Sequence, residues 1–170
     1  MLRIPHALLS PAGCGLPATG GAPMRRILLM LAALALMFAT LPAALPLDAA
    51  SLAPLPRATA TLTAHGETRA CEGVWLTDLA AASGLPAGQA VSGSALSILI
   101  RAEAADGYRV VFTLAELDRK LGNRPVLIAD RCDGKPLATG DGPLRLVVPG
   151  EARAARSVRQ LVALRVEQLR

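Results

Sequence analysis

Val126-Leu127-Ile128-Ala129-Asp130-Arg131-Cys132-Asp133-Gly134-Lys135-Pro136-Leu137, followed by Gly142-Pro143-Leu144-Arg145-Leu146-Val147-Val148-Pro149-Gly150, is the part of the chain that decides its fold. Val126 to Ala129 contains no polar residue, and a turn at Asp133-Gly134 follows closely. Such a short continuous apolar run reads as a buried strand. Leu144 to Val148 reads as a second strand, closed by Pro149-Gly150, where the ladder loses a donor. In the segment Ser157 to Leu169, Val158, Leu161 and Leu164 repeat at helical spacing. Val162, Leu164 and Val166 alternate instead, and the β-branched second half is read as a strand.

Working back towards the N-terminus, Ala95 to Ala104 alternates, and Asp106-Gly107 turns it into Tyr108 to Phe112, the pattern of a β-hairpin. Thr113 with Glu116 three residues later matches a capping box, so Leu114 to Leu121 is expected as a short helix ending at Gly122. A helix is also expected within Gly73 to Gly84, where Leu76 and Leu79 share a face and Gly84 with Pro86 supplies the stop. Ala58 to Thr63 alternates as a strand, with its turn at His65-Gly66-Glu67. There is no internal repeat and no Gly-rich phosphate loop. The expected fold class is α+β, a single compact domain of mixed β-sheets with short helices.

The N-terminal part carries a different signal. Met24-Arg25-Arg26 precedes thirteen apolar residues, Ile27 to Ala39, and small residues continue to Ala50. A basic flank, an apolar core short of a bilayer span and small residues make the layout of an export signal, with cleavage expected between Ala43 and Ala50. Read on to Leu47, the same stretch is long enough for a membrane anchor, although Pro42 and Pro46 interrupt its end. Residues 1–23 hold four prolines, four glycines and no acidic residue, which is odd ahead of a signal, and a true start at Met24 would remove the oddity. The expected organisation is therefore an extension and signal over 1–50, a linker over 51–57 and a domain over 58–170, periplasmic or secreted, with a membrane association only if the apolar segment is retained.

Mean hydropathy is +0.42 and the isoelectric point about 9.9, but both overstate the character of the exported part. Beyond residue 50 there are fifteen Lys and Arg against twelve Asp and Glu, a mild excess. One Trp, one Tyr and two Phe in the whole chain leave almost no platform for base stacking, so no nucleic-acid partner is expected. Cys71 and Cys132 would meet an oxidising compartment, as a disulfide or as two buried thiols. His65 is the only histidine of that part, so neither a multi-histidine metal site nor a Ser-His-Asp arrangement can be assembled.

The order Val126 to Leu137, Gly142-Pro143-Leu144-Arg145 to Gly150, then Ala155-Arg156-Ser157-Val158-Arg159, resembles the molybdopterin-binding domain of the sulfite-oxidase family. That family has a strand leading through Pro-Leu to a Gly-Pro-x-Arg strand that closes at Pro-Gly, followed by a basic Arg-Ser-Val-Lys-like stretch. Glu72-Gly73-Val74 and Asp106-Gly107-Tyr108 also fall where the family has similar elements, so the resemblance spans most of residues 58–168. It implies the family's fold, a molybdopterin cofactor, oxidoreductase chemistry and a redox partner protein. Arg145, Arg156 and Arg159 match its basic positions and are the candidate cofactor-binding residues, since guanidinium forks suit a phosphate or a sulfur oxyanion.

Two departures from the family bear on the chemistry. A cysteine thiolate binds molybdenum in the family, and the corresponding strand here, Thr61 to His65, has none. Where the family often has a histidine ahead of Gly-Pro-x-Arg, this chain has Asp141, which would repel an anion. Independent molybdenum catalysis is therefore not expected. The alternative reading is a cofactor-free binding or accessory module for an anionic ligand or a redox partner.

Overall fold

A computed structural model describes residues 42–169. The apolar stretch Ile27 to Ala39, on which the export signal rests, lies outside them. Among the described residues no helix is long and apolar enough to cross a membrane.

The strands are β1 (Ala44–Leu45), β2 (Arg57–Ala64), β3 (Glu67–Trp75), β4 (Ile98–Ala104), β5 (Arg109–Thr113), β6 (Leu127–Cys132), β7 (Lys135–Pro136), β8 (Arg145–Val147) and β9 (Leu161–Gln168). The helices are α1 (Ala49–Leu52), α2 (Leu76–Ala82) and α3 (Leu114–Leu117), with 3₁₀ turns that include Gly93–Ser97 and Ala154–Arg156. One sheet runs β1-β9-β4-β5; the other runs β2-β3-β6-β7, with β8 also on β6. Among the described residues every pairing is antiparallel, which corrects the expectation of mixed sheets. The α+β class holds.

β6 explains the run that decides the fold. It lies between β3 and β8, and its two faces are buried in different cores: Val126 and Ile128 join the main core, while Leu127 and Ala129 join a smaller one with Ala60, Leu62, Cys71, Cys132 and Val147. A strand covered on both faces needs no polar alternation, hence the continuous apolar run. Cys71 and Cys132 sit opposite each other on β3 and β6 and form a disulfide.

The C-terminal segment resolves its two periods in one strand. Between Glu103 and Ala104 the β4–β9 register slips, so that Ala104 faces Leu161 while Glu103 faces Ala163. Val162 is the extra residue and stays in solvent, while Leu161 and Leu164, three apart, both face the core. The bulge thus imitates a helical spacing inside a strand.

Four other expectations need correction. β3 had no assignment between Glu67, read as part of a turn, and Gly73, read as opening the helix segment; its mixed residues carry little strand signal, yet Glu67 to Gly73 all pair with β2, and Cys71 to Gly73 pair with β6 as well. The helix expected from Gly73 starts only at Leu76, whose N–H is taken by the Val126 carbonyl at 2.8 Å. α3 stops at Leu117 rather than Leu121, because the carboxylate of buried Asp118 accepts from Lys120 and Gly88 N–H groups and turns the chain away. The ordered part also begins earlier than residue 58: Ala44–Leu45 pairs with β9, Leu45 is buried in the main core, and of residues 51–57 the first two end α1 and the last opens β2, with 53–56 connecting them. A two-residue strand flanked by prolines is too short to show a period.

Candidate anion site

Arg145 opens β8 directly opposite Ala129 of β6, on the face that carries the smaller core. Its side chain is therefore 6% exposed, an unusual position for a guanidinium. Nη1 donates to Asp141 Oδ1 at 2.9 Å, and Nε is buried without any hydrogen-bond partner. Leaving a charged donor desolvated and unpaired is costly, so this atom points to a group that completes it.

The surrounding backbone holds two more cations at the same place. In the β2–β3 hairpin Leu62 faces Arg69, which puts Arg69 on the inward face. Its Nε donates to Asp133 Oδ2 at 3.0 Å and its Nη1 to Asp141 Oδ2 at 3.4 Å. Residues 157–161 are laced along β8: Val148 N–H donates to the buried Ser157 hydroxyl at 3.0 Å, Leu146 N–H to Val158 O at 2.8 Å and Leu161 N–H to Leu144 O at 2.8 Å. That lacing delivers Arg159 to the mouth of the site, where it is exposed and makes no ion pair among the described residues. Asp141 is fixed by its own turn, its N–H donating to Ala138 O at 2.8 Å.

The result is an open pocket of 370 Å³ in which Arg69, Arg145 and Arg159 face Asp141 and Glu67, with His65 at the rim. Burial lowers the pKa of Arg145; the nearby Arg69 and Arg159 lower it further, and Asp141 opposes them. With Asp133, which pairs with Arg69 from outside the lining, three carboxylates face the three guanidiniums. An anion is therefore favoured not by a net charge but by Arg159, which is exposed and without an ion pair among the described residues, beside the buried Nε of Arg145.

Two of the three expected basic residues, Arg145 and Arg159, are brought together. Arg156 is not. Its Nη1 donates to Glu116 at 2.8 Å, its Nε to Glu151 at 2.8 Å, and its guanidinium lies 5.1 Å from the centre of the Phe112 ring. The hydrogen bonds it donates to Glu151 and Glu116 raise its pKa. Arg156 clamps the loop after β8 onto α3 and is already neutralised. For the same reason the capping box is half made: Thr113 Oγ1 accepts from Glu116 N–H at 2.9 Å, but the Glu116 carboxylate serves Arg156 instead. Asp141, expected to repel an anion, acts as the brace that orients Arg69 and Arg145.

Arg69 and Ser157 were missed as site residues. Register would have found Arg69: a two-residue turn at His65-Gly66 pairs Leu62 with Arg69 by counting alone.

A molybdenum centre would need a thiolate or a gathered set of ligating side chains. The sulfur of Cys71 is bonded to that of Cys132, both residues being buried, so neither offers a thiolate. Among the described residues no three of His, Cys, Asp and Glu gather in a metal-holding group. The pocket suits the anionic end of a pterin phosphate, whereas the donors for the metal do not fit. No family model matches the chain, and no curated protein matches it.

Proposed function

We propose that this chain is an exported binding module with the sulfite-oxidase molybdopterin-domain fold, holding an anionic ligand at Arg145 without molybdenum redox chemistry of its own. The observation that carries the anion reading is the buried, unpartnered Nε of Arg145 in a pocket shared with Arg69 and Arg159. Export is supported by the basic flank and apolar run of residues 24–39, and by a disulfide, which persists in oxidising compartments. The fold assignment is supported by two antiparallel sheets with short helices and by the placement of the Gly-Pro-x-Arg strand at the pocket.

Calorimetric titration of the purified chain with inorganic phosphate tests the reading. Phosphate is expected to bind in a salt-sensitive way, and Arg159→Ala to weaken it about tenfold. Absence of binding, or equal affinity in the Arg159 variant, would contradict it. Arg159 is exposed, so its loss should leave the fold intact.

A further inference from the structure

We propose that two copies of this chain associate through the free edge of β2, pairing antiparallel about a two-fold axis at Thr61. β2 is eight residues long and forms the edge of its sheet, with β3 as its only ladder partner among the described strands. Residues 57–64 make no backbone hydrogen bond outside that ladder among the described residues. The hairpin turn has both residues left-handed, His65 at φ 52° and Gly66 at φ 82°, and closes on the Ala64–Glu67 pair. Hydrogen bonding alternates along an antiparallel strand, so Ala64, Leu62, Ala60 and Ala58 turn their N–H and C=O groups to β3. Those of Thr63, Thr61 and Thr59 point to the free edge.

An exposed strand edge is normally guarded by charge, proline, a bulge or brevity. β1 and β7 have two residues each and β8 has three, while β5 and β2 both open on an exposed arginine, Arg109 and Arg57. Beyond Arg57, the stretch Ala58 to Ala64 carries no charge, proline or bulge and is not short. It is also nearly palindromic, Ala-Thr-Ala-Thr-Leu-Thr-Ala. With the axis at Thr61, Thr59 meets the partner's Thr63, Ala60 meets the partner's Leu62, and Ala58 meets the partner's Ala64. The exposed threonines then line one face and the small apolar residues the other, so the smaller core continues across the join. Moving the axis to Ala60 or Leu62 would bring Pro56 opposite Ala64, or the Gly66 turn opposite Ala58. An isologous contact of this kind consumes both edges and stops at two copies.

Sedimentation velocity over a concentration series tests this on the purified chain. The wild type is expected to show a reversible monomer–dimer equilibrium, and Thr61→Lys, which sets two lysines face to face, to raise the dissociation constant at least about tenfold. The register is tested by two double variants at exposed positions: T59K/T63E should still dimerise, because Lys meets Glu across the axis, whereas T59K/T63K should not. A wild type that is monomeric throughout, a dimer indifferent to T61K, or equal behaviour of the two double variants would overturn the proposal.

Discussion

Gly73→Ala is expected to destabilise the domain by about 3 kcal/mol or more, and its unfolding midpoint in urea should fall accordingly. A Cβ on Gly73 would lie 1.9 Å from the Ile128 carbonyl oxygen and 2.7 Å from Ala129 Cα. These are backbone atoms of β6, the strand buried on both faces, and they cannot move as a flexible side chain could. Gly73 sits where the β3–β6 register slips, between Glu72 and Gly73, so two strands approach closely at the centre of the sheet. Relieving the overlap would push β3 off β6 and open both cores together. An unchanged midpoint would mean that the strands are not in this contact. The expected cost comes from the close approach alone, because Gly73 is not among the glycines with positive φ.

Removing the Cys71–Cys132 bridge should be comparably severe, costing about 4 kcal/mol by loop-closure entropy for its span of 61 residues. The closed loop contains β4, β5 and α3, so the unfolded chain regains a large amount of freedom when the bridge is cut. Both cysteines are buried in the smaller core, which adds a packing loss to the entropic one. The check is chemical denaturation of the Cys71→Ala/Cys132→Ala chain against the oxidised wild type, with the reduced wild type alongside. The double variant and the reduced wild type should both unfold at lower denaturant. Equal midpoints would remove the stabilising role given to the bridge, and with it one support for an extracytoplasmic site.

Much of the fold was legible because some residues carry their own explanation. Val126 to Ala129 and the Arg145 strand announce themselves through apolar continuity and a Pro-Gly stop, and the Asp106-Gly107 turn fixes its hairpin. β3 was illegible for the opposite reason. Its charged and small residues have weak local preference, and the strand exists because β2 and β6 both offer it a ladder. The bulge at Val162 hid β9 behind a helical period. The candidate site divides in the same way. Arg145 and Arg159 lie on or beside the Gly-Pro-x-Arg strand and could be named from it, whereas the fate of Arg156 depends on Glu116, forty residues away in sequence. No local pattern reports such a partner.

Molybdenum content measured on the chain, exported from a host that makes the pterin cofactor and is supplied with molybdate, tests the central claim most directly. With both cysteines committed to the disulfide and no thiolate on the Thr61 to His65 strand, the account predicts well-folded protein carrying far less than one molybdenum per chain. Stoichiometric molybdenum that is lost when Arg145 is replaced by alanine would contradict it, and would identify the arginine pocket as the seat of a working metal cofactor.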